Sequence, residues 1–211
     1  GLQVWDFTDV TAPFRVNYLK LPGITDSDYG TGAWFVFPQW PYLYLGGSSN
    51  GLYVVDIHDP SAPFLVDRAG LPNPIPPTLL GDFKTGPVYA AGNLLTIRGM
   101  DQPGYSPLDI SRPEQPLLLT TRRDGLDSIY SGLFNGGFLY GAGTQSHVTV
   151  HDVRDPLKIL DYSRSPEVAG RGGYLSVQDG KAHCGESQHF AADVRPYLRD
   201  VHDHVVQLLD L

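Results

Sequence analysis

Apolar residues in this chain come in short runs closed by Gly, Pro or Asp, such as Tyr42-Leu43-Tyr44-Leu45-Gly46, Leu52-Tyr53-Val54-Val55-Asp56 and Leu94-Leu95-Thr96-Ile97-Arg98-Gly99. Runs of this length, rich in β-branched and aromatic residues and bounded by turn formers, predict strands. They show little period-2 alternation. A strand apolar at nearly every position is expected to be buried on both faces, between stacked sheets. Phe64-Leu65-Val66-Asp67 and Leu117-Leu118-Leu119-Thr120 predict outermost strands, and Trp34–Phe37 and Val88–Ala91 innermost ones.

The runs repeat. Gly1-Leu2-Gln3-Val4-Trp5-Asp6-Phe7-Thr8-Asp9-Val10-Thr11-Ala12-Pro13 is matched by Gly51-Leu52-Tyr53-Val54-Val55-Asp56-Ile57-His58-Asp59-Pro60-Ser61-Ala62-Pro63. Worn copies follow around Leu108-Asp109-Ile110-Ser111-Arg112-Pro113, Val148–Pro156 and Val205–Leu211. The strand-end aspartate recurs in all five copies, as Asp6, Asp56, Asp109, Asp152 and Asp210, at spacings of 50, 53, 43 and 58 residues. A four-stranded propeller blade takes roughly 40–50 residues. Four strands in meander order, a to d, with the aspartate closing strand c, account for one unit. An Asp side chain accepts backbone N–H groups two residues on, and Pro presets the next turn position, so these aspartates read as structural.

Composition agrees. Of the 211 residues, 24 are Gly and 18 Pro, and 20 Asp stand beside only 3 Glu and 4 Lys. Such a balance favours turns over helices and excludes a helical bundle. The net charge of −8 carries no basic cluster, so a nucleic-acid groove is not expected. No apolar run reaches the roughly 18–20 residues of a transmembrane helix. Cys184 is the only cysteine, which excludes an internal disulfide.

The pattern Gly-Leu-x-Val-x-Asp-x-x-Asp-Pro-x-x-Pro, carried by Gly51 to Pro63, resembles the LVIVD repeat of bacterial and archaeal propeller proteins, many of them at the cell surface. Val10 stands where Pro60 does, and Arg112 replaces the second aspartate in the third unit. The expected fold is all-β: a β-propeller of four-stranded antiparallel blades, with about five blades represented. The units run over 1–32, 33–86, 87–128, 129–172 and 173–211 in one propeller domain. The chain opens on strands c and d and closes on a, b and c, which suggests part of a larger ring. The resemblance implies an extracytoplasmic location.

Two groups of residues are candidates for function. In a propeller the connections from strand d to the next strand a line one end of the ring, together with the b-to-c loops, and loops on a rigid scaffold are where binding concentrates. Asp26, Asp28, Tyr29, Lys84, Asp124, Asp127 and Arg171 are the polar candidates there. Gly170–Gly173 reads as a turn in the last of these connections. The second group comes from an insertion of about 15 residues between strands b and c of the fifth unit. His183, Glu186, His189, His202 and His204 form the densest set of ligand-type side chains, in a pattern that matches no known zinc spacing. Cys184 falls in the apolar strand before it.

No nucleophile elbow, phosphate loop or metalloprotease helix occurs. The expected function is a non-catalytic scaffold or binding module that engages a protein or a surface polymer and needs no cofactor. One alternative is a metal-dependent enzyme built on the fifth-unit histidines; another is a structural subunit of a larger complex.

Overall fold

The structure is a computed structural model that describes residues 1–25, 28, 30–68, 70–100, 104–123, 129–143, 148–164, 171–178, 181–187 and 206–210. The chain is nearly all β, in antiparallel sheets that each follow chain order. It divides into two compact units, Gly1–Asp124 and Gly125–Leu211.

Among its described residues the first unit holds three sheets. β1 (Leu2–Asp6) pairs with β2 (Phe14–Leu19). The second sheet is the meander β3 (Phe35–Gln39), β4 (Tyr42–Gly46), β5 (Leu52–Asp56) and β6 (Phe64–Leu65). The third is β7 (Thr85–Ala91), β8 (Leu94–Gly99), β9 (Tyr105–Asp109) and β10 (Leu117–Leu118). In the second unit, β11 (Ile129–Asn135), β12 (Phe138–Gly143), β13 (Val148–Asp152) and β14 (Leu160–Arg164) form a further meander. A three-stranded sheet follows, of β15 (Arg171–Gln178), β16 (Lys181–Ser187) and β17 (Val206–Asp210).

The repeat aspartate fixes the register. Tyr42 faces Asp56 across the b–c pair, Leu94 faces Asp109, Phe138 faces Asp152 and Lys181 faces Asp210. In the following turn the aspartate acts as a backbone acceptor. Asp56 Oδ1 accepts the N–H of His58 at 2.8 Å, Asp6 that of Thr8 at 2.6 Å, Asp109 that of Ser111 at 2.7 Å and Asp152 that of Arg154 at 3.1 Å. The second aspartate repeats the device: Asp9 accepts from Thr11, Asp59 from Ser61 and Asp155 from Leu157. Where Arg112 replaces it, the Gln115 N–H still bonds the Arg112 carbonyl at 2.8 Å, so the backbone turn survives the lost carboxylate.

Burial on both faces explains the missing alternation. Leu52 and Val54 join Tyr44, Val88, Leu95, Ile97 and Leu108 in a core between the second and third sheets. Tyr53 and Val55 point the other way, to Leu2, Leu21, Leu43 and Leu45. Each such aliphatic side chain contributes about 1.5–3 kcal/mol when fully buried. The sheets are also stitched together by polar groups. Asn17 Nδ2 donates to the Ser61 carbonyl and Gln39 Nε2 to that of Gly92. Arg68 is buried and spends its N–H groups on the carbonyls of Glu114 and Pro72.

Three elements differ from the sequence expectation. Strand d is shorter than its apolar run, ending at Leu65 and Leu118 instead of Asp67 and Thr120. The edge of β5 is completed by the connection that follows. Asn73 donates to the carbonyls of Val54 and Val66 and accepts the Val54 N–H, while Leu52 and Ile75 exchange both backbone hydrogen bonds. That connection buries Ile75, Leu80 and Phe83 around a single 3-10 turn, Pro77–Leu79. Finally, Arg171-Gly172-Gly173 lies inside β15, with Arg171 paired to Ser187, and is not a turn.

Candidate functional site

The b–c loops and the d–a connections meet at one end of the first unit, and hydrogen bonds lock them to one another. Gly47-Ser48-Ser49-Asn50-Gly51 is the b–c turn of the second sheet. Its Ser49 N–H bonds the Gly30 carbonyl at 3.0 Å. The Asn50 side-chain amide donates to the carbonyls of Gly23 at 3.0 Å and Thr31 at 3.2 Å, so one side chain holds both ends of the 21–34 connection. On the other side Ser48 and Thr85 exchange backbone bonds of 2.9 and 3.0 Å. Two glycines make this turn fit. Gly51 has φ +94°, in the region that favours glycine, and a Cβ there would strike the Ile75 carbonyl. A Cβ on Gly46 would strike the Gly86 carbonyl.

The rim continues along the next connection. Arg123 donates to the carbonyls of Gly81 and Asp82 and lies 3.8 Å from the Asp82 carboxylate. Both side chains are more than half exposed, so this ion pair contributes little to stability. Tyr53, in the core below, sends its hydroxyl to the Pro22 carbonyl, and burial pushes that hydroxyl up to about 12. The end of the unit is therefore a set of loops held by hydrogen bonds, with Asp28, Ser49, Leu71, Leu79, Asp82 and Arg123 exposed on its surface.

Of the binding candidates, Asp28 lies on this rim, where its Oδ1 accepts the Gly30 N–H at 2.8 Å. Lys84 is half-buried, and its carbonyl accepts the Met100 N–H. Arg171 starts β15. Asp26, Tyr29, Asp124 and Asp127 lie outside the described residues. His183 and Glu186 take places in β16 opposite Leu208 and Gly172, while His189, His202 and His204 lie outside the described residues. Among the described residues, no group of three or more His, Cys, Asp or Glu is placed to hold a metal ion.

Sequence reasoning missed Asn50, Asn73 and Arg123 as rim-forming residues. The Gly-Gly-Ser-Ser-Asn-Gly run signals a turn, but nothing local says which distant carbonyls Asn50 reaches.

Successive four-stranded antiparallel meanders, packed face to face with their loops gathered at an end, define the class: this chain is a β-propeller. Residues 41–69 match the LVIVD repeat, consistent with the propeller fold of the sheets around them. Among solved structures it is similar to the computationally designed Ika4 protein, at TM-score 0.57 and 10% identity over 92% of this chain and 99% of that one. It is also similar to the β-propeller domain of Cps50 (Swd1) from Myceliophteria thermophila, at TM-score 0.54 and 10% identity over 86% of this chain and 59% of that one. The computationally designed Ika8 protein matches at TM-score 0.52 and 13% identity over 74% of this chain and 43% of that one. The chain thus spans less than two thirds of the Cps50 domain and of Ika8. Identities this low speak to the fold alone. No curated protein sequence matches the chain significantly.

Proposed function

We propose that this chain is a non-catalytic binding module that engages a protein or a surface polymer through the loop end of its propeller, outside the cytoplasm. The observation that carries the proposal is the anchoring of that end. Asn50 ties Gly23 and Thr31 to the b–c turn and the Ser48–Thr85 pair ties it to the next connection, while Asp28, Asp82, Arg123, Leu71 and Leu79 stay exposed. A surface fixed before binding loses little conformational entropy on association. Its mix of exposed carboxylates, one guanidinium and two leucines suits a partner with basic and apolar groups. The location is the part of this reading that only the resemblance to the LVIVD repeat implies.

Paired charge reversals test this reading. Capture from the native host's surface fraction is compared for the parent, for Asp28→Lys with Asp82→Lys, and for a variant altered at the opposite end, Val10→Ser with His58→Ser. Loss of a specific partner in the rim variant only, with unchanged melting, supports the proposal. Equal capture by all three, or stoichiometric metal with hydrolytic activity in the parent, overturns it.

A further inference from the structure

The second and third sheets repeat one another strand for strand, yet they differ at two neighbouring positions. Tyr42–Gly46 and Leu94–Gly99 hold the same register against their strand c, so Thr96 stands where Tyr44 does and Arg98 where Gly46 does. The exchange removes an aromatic ring and adds a guanidinium two residues further along the same face. Arg98 is 1% exposed, the largest fully buried side chain among the described residues. An aliphatic residue would pack this position without cost, whereas a buried charge is expensive unless it is paired and hydrogen-bonded.

The guanidinium of Arg98 lies over the ring of Tyr105, which faces it across the β8–β9 pair, 4.6 Å from the ring centroid. A cation–π contact engages the flat face and leaves the in-plane N–H groups free. Nε and Nη2 are both buried and neither has a hydrogen-bond acceptor. These two atoms form the side-on edge of the guanidinium, whose parallel N–H bonds match two oxygens of a carboxylate or phosphate. Thr96 adds a third buried donor on the same face, since its Oγ1 is likewise without a partner. Burial pulls the Arg98 guanidinium down to about 10, so it stays cationic at neutral pH. Water would satisfy the N–H groups and leave the charge uncompensated.

We propose that Arg98 anchors an oxyanion-binding site, in which its Nε–Nη2 edge takes two oxygens of a carboxylate or a phosphate group and Thr96 supplies a further hydroxyl donor. Both nitrogens are closed off from bulk water, so the anion enters when the packing around β8 opens and is then enclosed. The site does not depend on the binding role proposed for the loop rim.

Thermal melts and titration calorimetry of the full chain test the site, using sodium phosphate and sodium acetate against sodium chloride at matched ionic strength. The parent should show saturable stabilisation by at least one oxyanion. Phosphate alone responding assigns a phosphate group, acetate alone a carboxylate, and either assignment supports the site. Arg98→Met should abolish the response. Arg98→Lys keeps the charge without the fork and should weaken binding about tenfold or more. A parent whose melting is the same in all three salts overturns the proposal, as does a response that survives unchanged in Arg98→Lys. Should Arg98→Met fail to fold, the parent and the Lys variant decide the matter.

Discussion

Asp56 and His58 are joined by one hydrogen bond, 2.8 Å from the His58 backbone nitrogen to Asp56 Oδ1, and the same bond recurs in every described c–d turn of the chain. The repeat aspartate is thus a backbone acceptor at a fixed place in each unit. Replacing Asp56 by Ala should destabilise the protein by about 1–2 kcal/mol, since the His58 N–H loses its acceptor. Urea unfolding measures the change. A variant that melts with the parent would remove the structural role of this residue.

The same turns predict an acid sensitivity. Hydrogen bonds from Thr8, Thr11, Ser61, Ser111 and Arg154 hold the carboxyls of Asp6, Asp9, Asp59, Asp109 and Asp152 below the ordinary range. A carboxyl lowered on folding stabilises the native state above its unfolded value and loses that contribution as the pH falls through the folded one. The melting temperature should therefore decline below about pH 4, and Asp59→Asn should flatten that decline. A melting profile with the same acid slope in the variant would contradict this source for it.

Asn50 should prove more important to stability than its partial exposure suggests. Asn50→Ala leaves the carbonyls of Gly23 and Thr31 without their side-chain donor, at a cost of about 0.5–1.5 kcal/mol. Asn50→Asp should be worse, because a carboxylate cannot donate and would face two carbonyl oxygens. Equal stability of the Asp variant and the parent would show that these bonds do not hold the turn.

The close approach of the b–c turn to its neighbours gives a steric test. Gly51→Ala meets both an unfavourable φ of +94° and the Ile75 carbonyl, so the backbone must shift. Gly46→Ala drives a methyl into the Gly86 carbonyl. Each should cost more than about 1 kcal/mol, whereas Gly92→Ala meets no atom within 4 Å and suffers only from its φ of +57°. Denaturation midpoints in the order Gly92→Ala above Gly46→Ala and Gly51→Ala check the packing of these sheets.

Much of this architecture is legible in the residues. The runs around Tyr42, Leu52, Leu94 and Leu108 become strands because their apolar side chains have a sheet on either face, and the spaced aspartates mark the turns. The connection from Leu71 to Gly86 is long and irregular in sequence, because its apolar residues have no period. Ile75, Leu80 and Phe83 are buried by contacts with Leu52, Val88 and Leu108, which no local pattern encodes. Gly172 and Gly173 read as a turn for a similar reason: glycine signals flexibility, and only pairing with β16 places Gly172 in a strand. Asn73 and Arg98 escape notice because an amide and a guanidinium are ordinary surface residues until the neighbouring sheet covers them.

Loops that form a fixed rim are the central feature of the first unit, and amide hydrogen exchange measures that directly. The N–H groups of Leu52, Ile75, Ser48 and Thr85 bond across from loop to strand, at 2.7 to 3.0 Å. Their exchange should be slowed to nearly the degree found for Tyr53 and Val55, which pair with Leu45 and Leu43 in the centre of the second sheet. Exchange at these four amides close to the free-peptide rate, with Tyr53 and Val55 protected, would mean that the loops move independently of the blades and would contradict a preformed loop end.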